Sequence, residues 1–137
     1  MTRKLLAQGN YSYVDAQYDD FTEKVGTVAV SRAGNTPTNI PARVANLWLI
    51  YSFTPQWQGG IDARYVASRY GNTANTVSDP AYTLYGAFAA YRFQKNSSLT
   101  ARVRNLADKV YAASVTGTPM FYLGAPRTLE VALQTGF

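Results

Sequence analysis

Six stretches of this chain alternate apolar and polar residues with a period of two, each over 13 to 16 residues: 5–20, 42–54, 57–70, 81–94, 98–111 and 125–137. That period belongs to a β-strand whose two faces meet different surroundings. Globular strands peak at about five or six residues, so these runs are unusually long. They suit tilted strands that cross a bilayer in about 9 to 11 residues and project beyond it. The last stretch, "PRTLEVALQTGF", shows the pattern plainly. Leu129, Val131, Leu133, Thr135 and Phe137 alternate with Thr128, Glu130, Ala132, Gln134 and Gly136.

The connections add a second regularity. "TPQW" and "QKNSS" are tight links with turn-forming residues. The other three, "DDFTEKVGTVAVSRAGNTPTNI", "GNTANTVSDP" and "AASVTGTPMFYLG", are longer and rich in Gly, Asn, Thr, Ser and Pro. Short and long links alternate. A soluble meander has no reason to sort its loops this way. An outer-membrane barrel does, with short periplasmic turns and long extracellular loops. The expected fold is therefore all-β, an antiparallel up-and-down transmembrane barrel segment of about six long strands. The competing expectation is a small soluble β-sheet binding module that buries one face against itself.

Parity assigns the faces. Odd-numbered Leu47, Leu49, Tyr51, Ile61, Ala63, Tyr65, Tyr91, Leu99, Ala101, Val103, Leu129, Val131 and Leu133 form an apolar face, expected to touch lipid. Even-numbered Asn46, Ser52, Gln58, Asp62, Arg64, Ser68, Thr100, Arg102, Arg104, Glu130 and Gln134 form a polar face, expected to line an aqueous lumen. Trp48, Ile50, Leu84 and Phe88 interrupt it, and stretch 81–94 is apolar on both sides. Phe53, Trp57 and Phe93 flank the tight turns on the odd face. With Phe137 they are expected to form a periplasmic aromatic girdle.

Composition excludes other classes. Eleven Tyr, six Phe and two Trp favour strands. No Cys and no His are present, so disulfides, thiolate metal sites and imidazole catalysis are out of reach. A hydrolytic triad has no material, and no catalytic residue or cofactor is expected. The net charge of +5 is scattered, with no basic run longer than Arg3-Lys4, so a nucleic-acid partner is not expected. No stretch approaches the roughly 20 apolar residues of a membrane helix. The opening "MTRKLLAQGNYSY" lacks the apolar centre of a signal peptide.

"NIPARVANLWLIYSF", "GGIDARYVASRYGNTANT", "YTLYGAFAAYRF", "SLTARVRNLADKVYAAS" and "GAPRTLEVALQTGF" follow one another in that order. The fourth contains Asn105, Leu106, Asp108, Lys109 and Tyr111 in an Asn-Leu-x-Asp-Lys-x-Tyr block. Together they resemble the C-terminal part of the β-barrel of TonB-dependent siderophore receptors, and the resemblance covers nearly the whole chain. It implies an outer-membrane protein of a Gram-negative bacterium that imports ferric siderophores as cargo. It also implies a roughly 22-strand barrel closed by a plug that TonB pulls. The expected domain is residues 1–137 as the C-terminal part of that barrel, with plug, TonB-binding segment and signal peptide absent. Six strands fall short of the roughly eight needed by the smallest bacterial barrels. The chain thus reads as a fragment, a partial gene or a non-functional remnant, not competent for transport alone.

Site residues follow from the resemblance, from parity and from side-chain chemistry. The last strand, with Leu129, Val131, Leu133 and Phe137 on one face, resembles the signal read by the barrel-assembly machinery; strand addition is its physical basis. Arg43, Arg69, Lys109 and Arg127 carry odd numbers near the long-loop end, where charge costs little. They are expected at headgroup level, either contacting lipopolysaccharide phosphates or snorkelling to the rim. Phe21, Tyr82, Phe121 and Tyr122 are expected as loop aromatics that stack on an aromatic siderophore. Arg32 or Arg127 is expected to attract an anionic ferric complex. Asp62, Arg64, Arg102, Arg104 and Glu130 are expected to face lumen water or the plug, and the partner of Glu130 depends on register. Asp15, Asp19, Asp20 and Glu23 suit either Ca²⁺ or a solvated acidic rim. The Gly-Asn-Thr triplets at 34–36 and 71–73 read as separate pieces of turn chemistry.

Overall fold

The structure is a computed structural model that describes residues 4–116 and 120–136. Among the described residues there are twelve strands. Six long ones form one antiparallel sheet: β1 (Leu5–Tyr13), β4 (Arg43–Ser52), β5 (Trp57–Val66), β8 (Tyr82–Gln94), β9 (Ser97–Arg104) and β12 (Thr128–Gln134). Their order across the sheet, β1-β4-β5-β8-β9-β12, follows the chain, so every neighbour is the next long strand. Among the described residues β1 and β12 do not pair with each other, and the sheet stays open.

Register carries the parity across all six strands. Leu5 faces Tyr51, Leu47 faces Ala63, Ile61 faces Ala87, Ala89 faces Ala101, and Ala101 faces Val131. Residues directly opposite in an antiparallel pair share a face. An odd residue therefore stands beside odd residues at every step. This settles stretch 81–94, where periodicity alone is silent. Tyr85, Ala87, Ala89 and Tyr91 join the apolar face, and Leu84, Gly86, Phe88 and Ala90 join the other. The parity breaks once, at a β-bulge between Arg92 and Gln94 beside the β8–β9 turn. There Phe93 is the extra, exposed residue.

The strands are shorter than the sequence expectation, and two of the early stops have a visible cause. The first expected stretch ran to residue 20, but the ladder ends after Val14 donates to the Ala42 carbonyl, where Pro41 has no N–H to continue it. The fifth ran to 111, but Asn105 takes a left-handed φ of 49° and turns the chain away. The third ran to 70, but β5 stops at Val66. Each long link also contains a ribbon that periodicity did not reveal. These are β2 (Thr22–Val25) with β3 (Val28–Ser31), β6 (Arg69–Tyr70) with β7 (Ser78–Asp79), and β10 (Ala112–Thr116) with β11 (Met120–Leu123). Gly26, at φ 64°, starts the two-residue turn of the first ribbon.

No second layer covers the sheet among the described residues. Buried apolar side chains are Val66, Ala112 and Val115, all at the loop end. On the odd face Ile61 is 58% exposed and Val131 66%. The accessible surface is 9715 Å². A compact soluble protein of 15.1 kDa exposes about 7,100 Å². The sheet does not bury its odd face against itself, so the soluble-module expectation is not met.

A hydrocarbon surround gives the faces opposite sensitivity to charge. Val131→Arg, midway along β12 on the odd face, should cost about 2–4 kcal/mol in a bilayer-inserted barrel, whereas Thr100→Arg on the even face should cost about 1 kcal/mol or less. Denaturant titration in lipid vesicles, followed by Trp fluorescence, reads both.

Candidate functional site

Three surfaces carry the candidate residues: the even face, the odd face and the knot of long loops. On the even face β5, β9 and β12 bring Asp62, Arg64, Arg102, Arg104 and Glu130 to one side. Glu130 lies opposite Arg102 along the backbone, yet its Oε1 accepts from Arg104 Nε at 2.6 Å. The pair is exposed, so solvent screens it and it adds little to stability. Arg102 instead lies 5.2 Å from the centre of the Phe88 ring. That ring covers Gly60, where any Cβ would collide with it. The Asp62 carboxylate likewise occupies the space beside Gly86. Two of the apolar interruptions thus have a structural basis: Ile50 and Phe88 flank Gly60 on adjacent strands, and Phe88 carries Arg102. A groove of about 810 Å³ opens on this face toward the tight turns, with Lys4, Arg92 and Arg102 in its lining and no carboxylate.

On the odd face two aromatic levels bracket an aliphatic band. Near the tight turns Trp57 stacks on Tyr91 at 4.6 Å, and Tyr51 meets Phe53 edge-on at 5.0 Å. The Phe53 ring also covers Gly59. Sequence reading missed the opposite level, formed by Tyr11, Tyr13, Tyr65 and Tyr85. Parity was the signal that should have found it. Trp57 and Tyr65 stand eight residues apart on β5, about 20 Å along the normal for a strand tilted at 45°. Between the levels lie Leu47, Leu49, Ile61, Ala63, Ala87, Ala101, Val103, Leu129 and Val131. Leu129, Val131 and Leu133 are exposed along the outer edge of the sheet, and Phe137 lies outside the described residues.

The loop knot corrects two sequence expectations. Arg69 is not at a lipid-facing rim. It is 8% exposed, its guanidinium pairs with Asp79 at 3.0 Å, and it donates to the Ala112 carbonyl at 2.6 Å. The odd-even rule stops with β5, and Arg69 begins a new ribbon with its own pairing. Arg43 and Lys109 are exposed, while Arg127 sits beside Asp108, with 3.9 Å between side chains. Arg32 is not a free cation either, because Glu23 pairs with it at 2.7 Å and its side chain is 17% exposed. Phe21 packs on Tyr18 and Tyr82 on Tyr111, whereas Phe121 and Tyr122 on β11 remain exposed.

Asparagines tie the three long loops together. Asn39 donates to the Val115 carbonyl at 2.7 Å and accepts from its N–H at 2.9 Å, while its own N–H reaches the Tyr70 carbonyl. Asn75 makes the same two-way contact with the backbone of Thr36. Asn35 donates to the Thr73 carbonyl at 2.8 Å. The two Gly-Asn-Thr triplets are therefore docked against each other, not separate turns. Asn105, 6% exposed, bonds both backbone groups of Lys109 and donates to the Ala125 carbonyl. Asp108 accepts from the Arg127 N–H, and the Tyr111 ring covers Gly124. The Asn-Leu-x-Asp-Lys-x-Tyr and Gly-x-Pro-Arg-Thr blocks are thus the two halves of one lock. Among the described residues, no three of Asp, Glu, His or Cys converge on a metal position.

The family model for "TonB dependent receptor-like, beta-barrel" matches residues 3–106. The ferrichrome outer membrane transporter/phage receptor of Escherichia coli K12 is 32% identical over 127 residues, 87% of this chain and 16% of that protein. The probable TonB-dependent siderophore receptor PiuA of Acinetobacter baumannii is 41% identical over 78 residues, 57% of this chain and 10% of its own length. The crystal structure of the siderophore receptor PiuA from Acinetobacter baumannii superposes with a TM-score of 0.85 at 28% identity, covering 98% of this chain and 20% of that one. The chain thus spans between a tenth and a fifth of the length of these relatives.

Glu23 links two loops, accepting from Thr73 Oγ1 at 2.7 Å and from Arg32 Nε at 2.8 Å. The Thr73 hydroxyl first, and then Arg32, hold its carboxyl below the usual carboxylate range. A depressed carboxylate contributes stability above its unfolded pKa and loses it as pH falls through the folded value. The β2–β3 ribbon should stay docked at neutral pH and part only when pH drops below that range. A distance probe between positions 28 and 74 should lengthen in acid, and Glu23→Gln should remove the acid step.

Proposed function

Because the chain belongs to the TonB dependent receptor-like β-barrel family, we propose that it is the C-terminal part of the barrel wall of a receptor that takes up ferric siderophores. The family comprises transporters and receptors, not enzymes, and its barrels lie in the outer membrane of Gram-negative bacteria. The observation that carries the reading is the shared parity of six paired strands, broken only at the bulge beside the β8–β9 turn. It gives one continuous apolar outer face between two aromatic levels and one polar inner face. The relatives, a ferrichrome transporter and a probable siderophore receptor, support ferric chelates as cargo.

In this reading the open edges of β1 and β12 pair with strands of the same barrel outside this sequence. Edge strand β12 carries the assembly signal, with Leu129, Val131 and Leu133 on its lipid face. Phe53, Trp57 and Phe93 serve at the periplasmic interface. The groove near Lys4, Arg92 and Arg102 faces the plug, and TonB acts through that plug. Phe121 and Tyr122, exposed on the third loop, are the aromatic side chains best placed to meet an arriving siderophore. This stretch carries out no catalytic step and holds no cofactor.

Uptake tests the reading. In an iron-starved host the receptor containing this segment should accumulate radiolabelled ferric siderophore and show heat-modifiable migration on gels. Both should vanish when residues 43–104 are deleted. Uptake should also stop when TonB is removed, while migration stays unchanged. A receptor that migrates normally but accumulates no ferric chelate would contradict the proposal and favour a non-functional remnant.

A further inference from the structure

Charge is unevenly shared between the two ends of the six-strand sheet. Asp15, Asp19, Asp20, Glu23, Asp79 and Asp108 belong to the long-loop end. Glu130 and Asp62 stand partway along the even face. Past Glu130, toward the tight turns, the described residues include Lys4, Arg92 and Lys95 and no acidic side chain.

A cleft gathers two of these cations. Arg92, Ser98 and Gln134 are register partners on β8, β9 and β12, so their side chains form one row across three strands. Lys95, Asn96 and Ser97 turn the chain beneath that row, and together these residues line a cleft of about 470 Å³. The chain that follows β12 closes one side, where a Cβ on Gly136 would collide with Asn96. Ser97 is buried, whereas Arg92 and Lys95 are exposed. Neither cation takes part in an ion pair among the described residues. The nearest carboxylate along β12, Glu130, lies four residues away, about 13 Å, and Arg104 already engages it. The lining holds no aliphatic or aromatic side chain. The row lies one residue beyond the level where Trp57 stacks on Tyr91. If the chain is a barrel wall, as proposed above, the cleft opens at the periplasmic mouth, clear of hydrocarbon.

We propose that this cleft holds a carboxylate of a peptidoglycan stem peptide and so ties the inner rim of the receptor to the cell wall. Arg92 and Lys95 are its charge partners, Arg92 through its two-pronged guanidinium. Asn96, Ser98 and Gln134 supply donors and acceptors for the peptide and sugar groups beside that carboxylate. Three observations select this occupant. Two unopposed cations are complementary to an anion. A lining without apolar side chains gives acyl chains nothing to rest on, and denies a protein partner the apolar anchor on which stable interfaces centre. A row of hydroxyl and amide groups across three strands matches a polymer that repeats amides, hydroxyls and carboxylates.

The test uses the receptor containing this segment, purified in non-ionic detergent. The probe is a dye-labelled disaccharide-tripeptide muropeptide with free stem carboxylates, read by fluorescence anisotropy. The receptor should bind it, and methyl esterification of the carboxylates should weaken binding about tenfold. Lys95→Gln should weaken binding about two- to fivefold, and Lys95→Arg should stay within about twofold of the original. Arg92→Gln combined with Lys95→Gln should bind the free probe as weakly as the original binds the esterified one. Absence of binding, equal binding of the esterified probe, or unchanged binding in the double variant overturns the proposal. Equally tight binding of an oligoglutamate peptide also overturns it, because the cleft would then be a dock for an acidic protein segment. Displacement by inorganic phosphate at matched ionic strength does the same, marking a general anion site. The esterified probe needs no substitution, so a variant that fails to fold leaves the proposal falsifiable. Heat-modifiable migration is read first on every variant. Its absence in the original receptor sinks the barrel-wall reading itself, whereas normal migration without muropeptide binding sinks only this inference.

Discussion

Everything in this molecule rests on strand register. Six neighbours pair so that odd residues meet odd residues, from Leu5 opposite Tyr51 at one edge to Leu133 opposite Leu99 at the other. A slip of one residue at any pair would turn a whole strand over and place its polar side chains among aliphatic ones. The tight turns help hold this register. Thr54 Oγ1 accepts from the backbone N–H groups of Gln56 and Trp57, and Phe53 and Trp57 bond across the first turn. At the second, the bulge at Phe93 absorbs the irregularity before it can spread into β8. Function follows from the same pairing, because only a sheet with two consistent faces can stand between lipid and a water-filled interior.

The loop end obeys different physics. Lipid does not cover it, and the side chains there must bury themselves. Val66, Ala112 and Val115 are buried there, and so is the Arg69–Asp79 pair, whose guanidinium donates to the Ala112 carbonyl. Asparagine does most of the joining. Its amide both donates and accepts, so one side chain can satisfy both backbone groups of a residue in another loop. Asn39 and Asn75 also adopt positive φ, at 60° and 56°, a conformation that asparagine tolerates better than most residues. The long loops therefore act as one knitted body above the sheet.

Much of the sheet was legible in advance because period two is a direct record of two environments. The six strands, their alternating short and long links, and the even-face positions of Asp62, Arg102 and Glu130 all follow from it. Stretch 81–94 was not legible, since both of its faces are apolar. Its side is fixed by the neighbours β5 and β9, which no local pattern contains. The same limit explains Arg69. Its odd number suggested lipid, but parity is a property of a continuous strand and ends at Val66. The docking of the two Gly-Asn-Thr triplets joins positions far apart in sequence, and so left no periodic trace. Glu130 shows the finest grain of this limit. Register puts Arg102 opposite it, yet its side chain bends to Arg104, because Arg102 lies over Phe88.

The account is tested most directly by asking what touches the odd face. Nitroxide labels at positions 49, 63, 101 and 131, in the receptor reconstituted into vesicles, report collisions with oxygen dissolved in lipid or with a water-borne nickel chelate. Strong relaxation by oxygen and weak relaxation by the chelate at all four sites is the expected result. Strong relaxation by the chelate at these sites, with protection from oxygen, would contradict it.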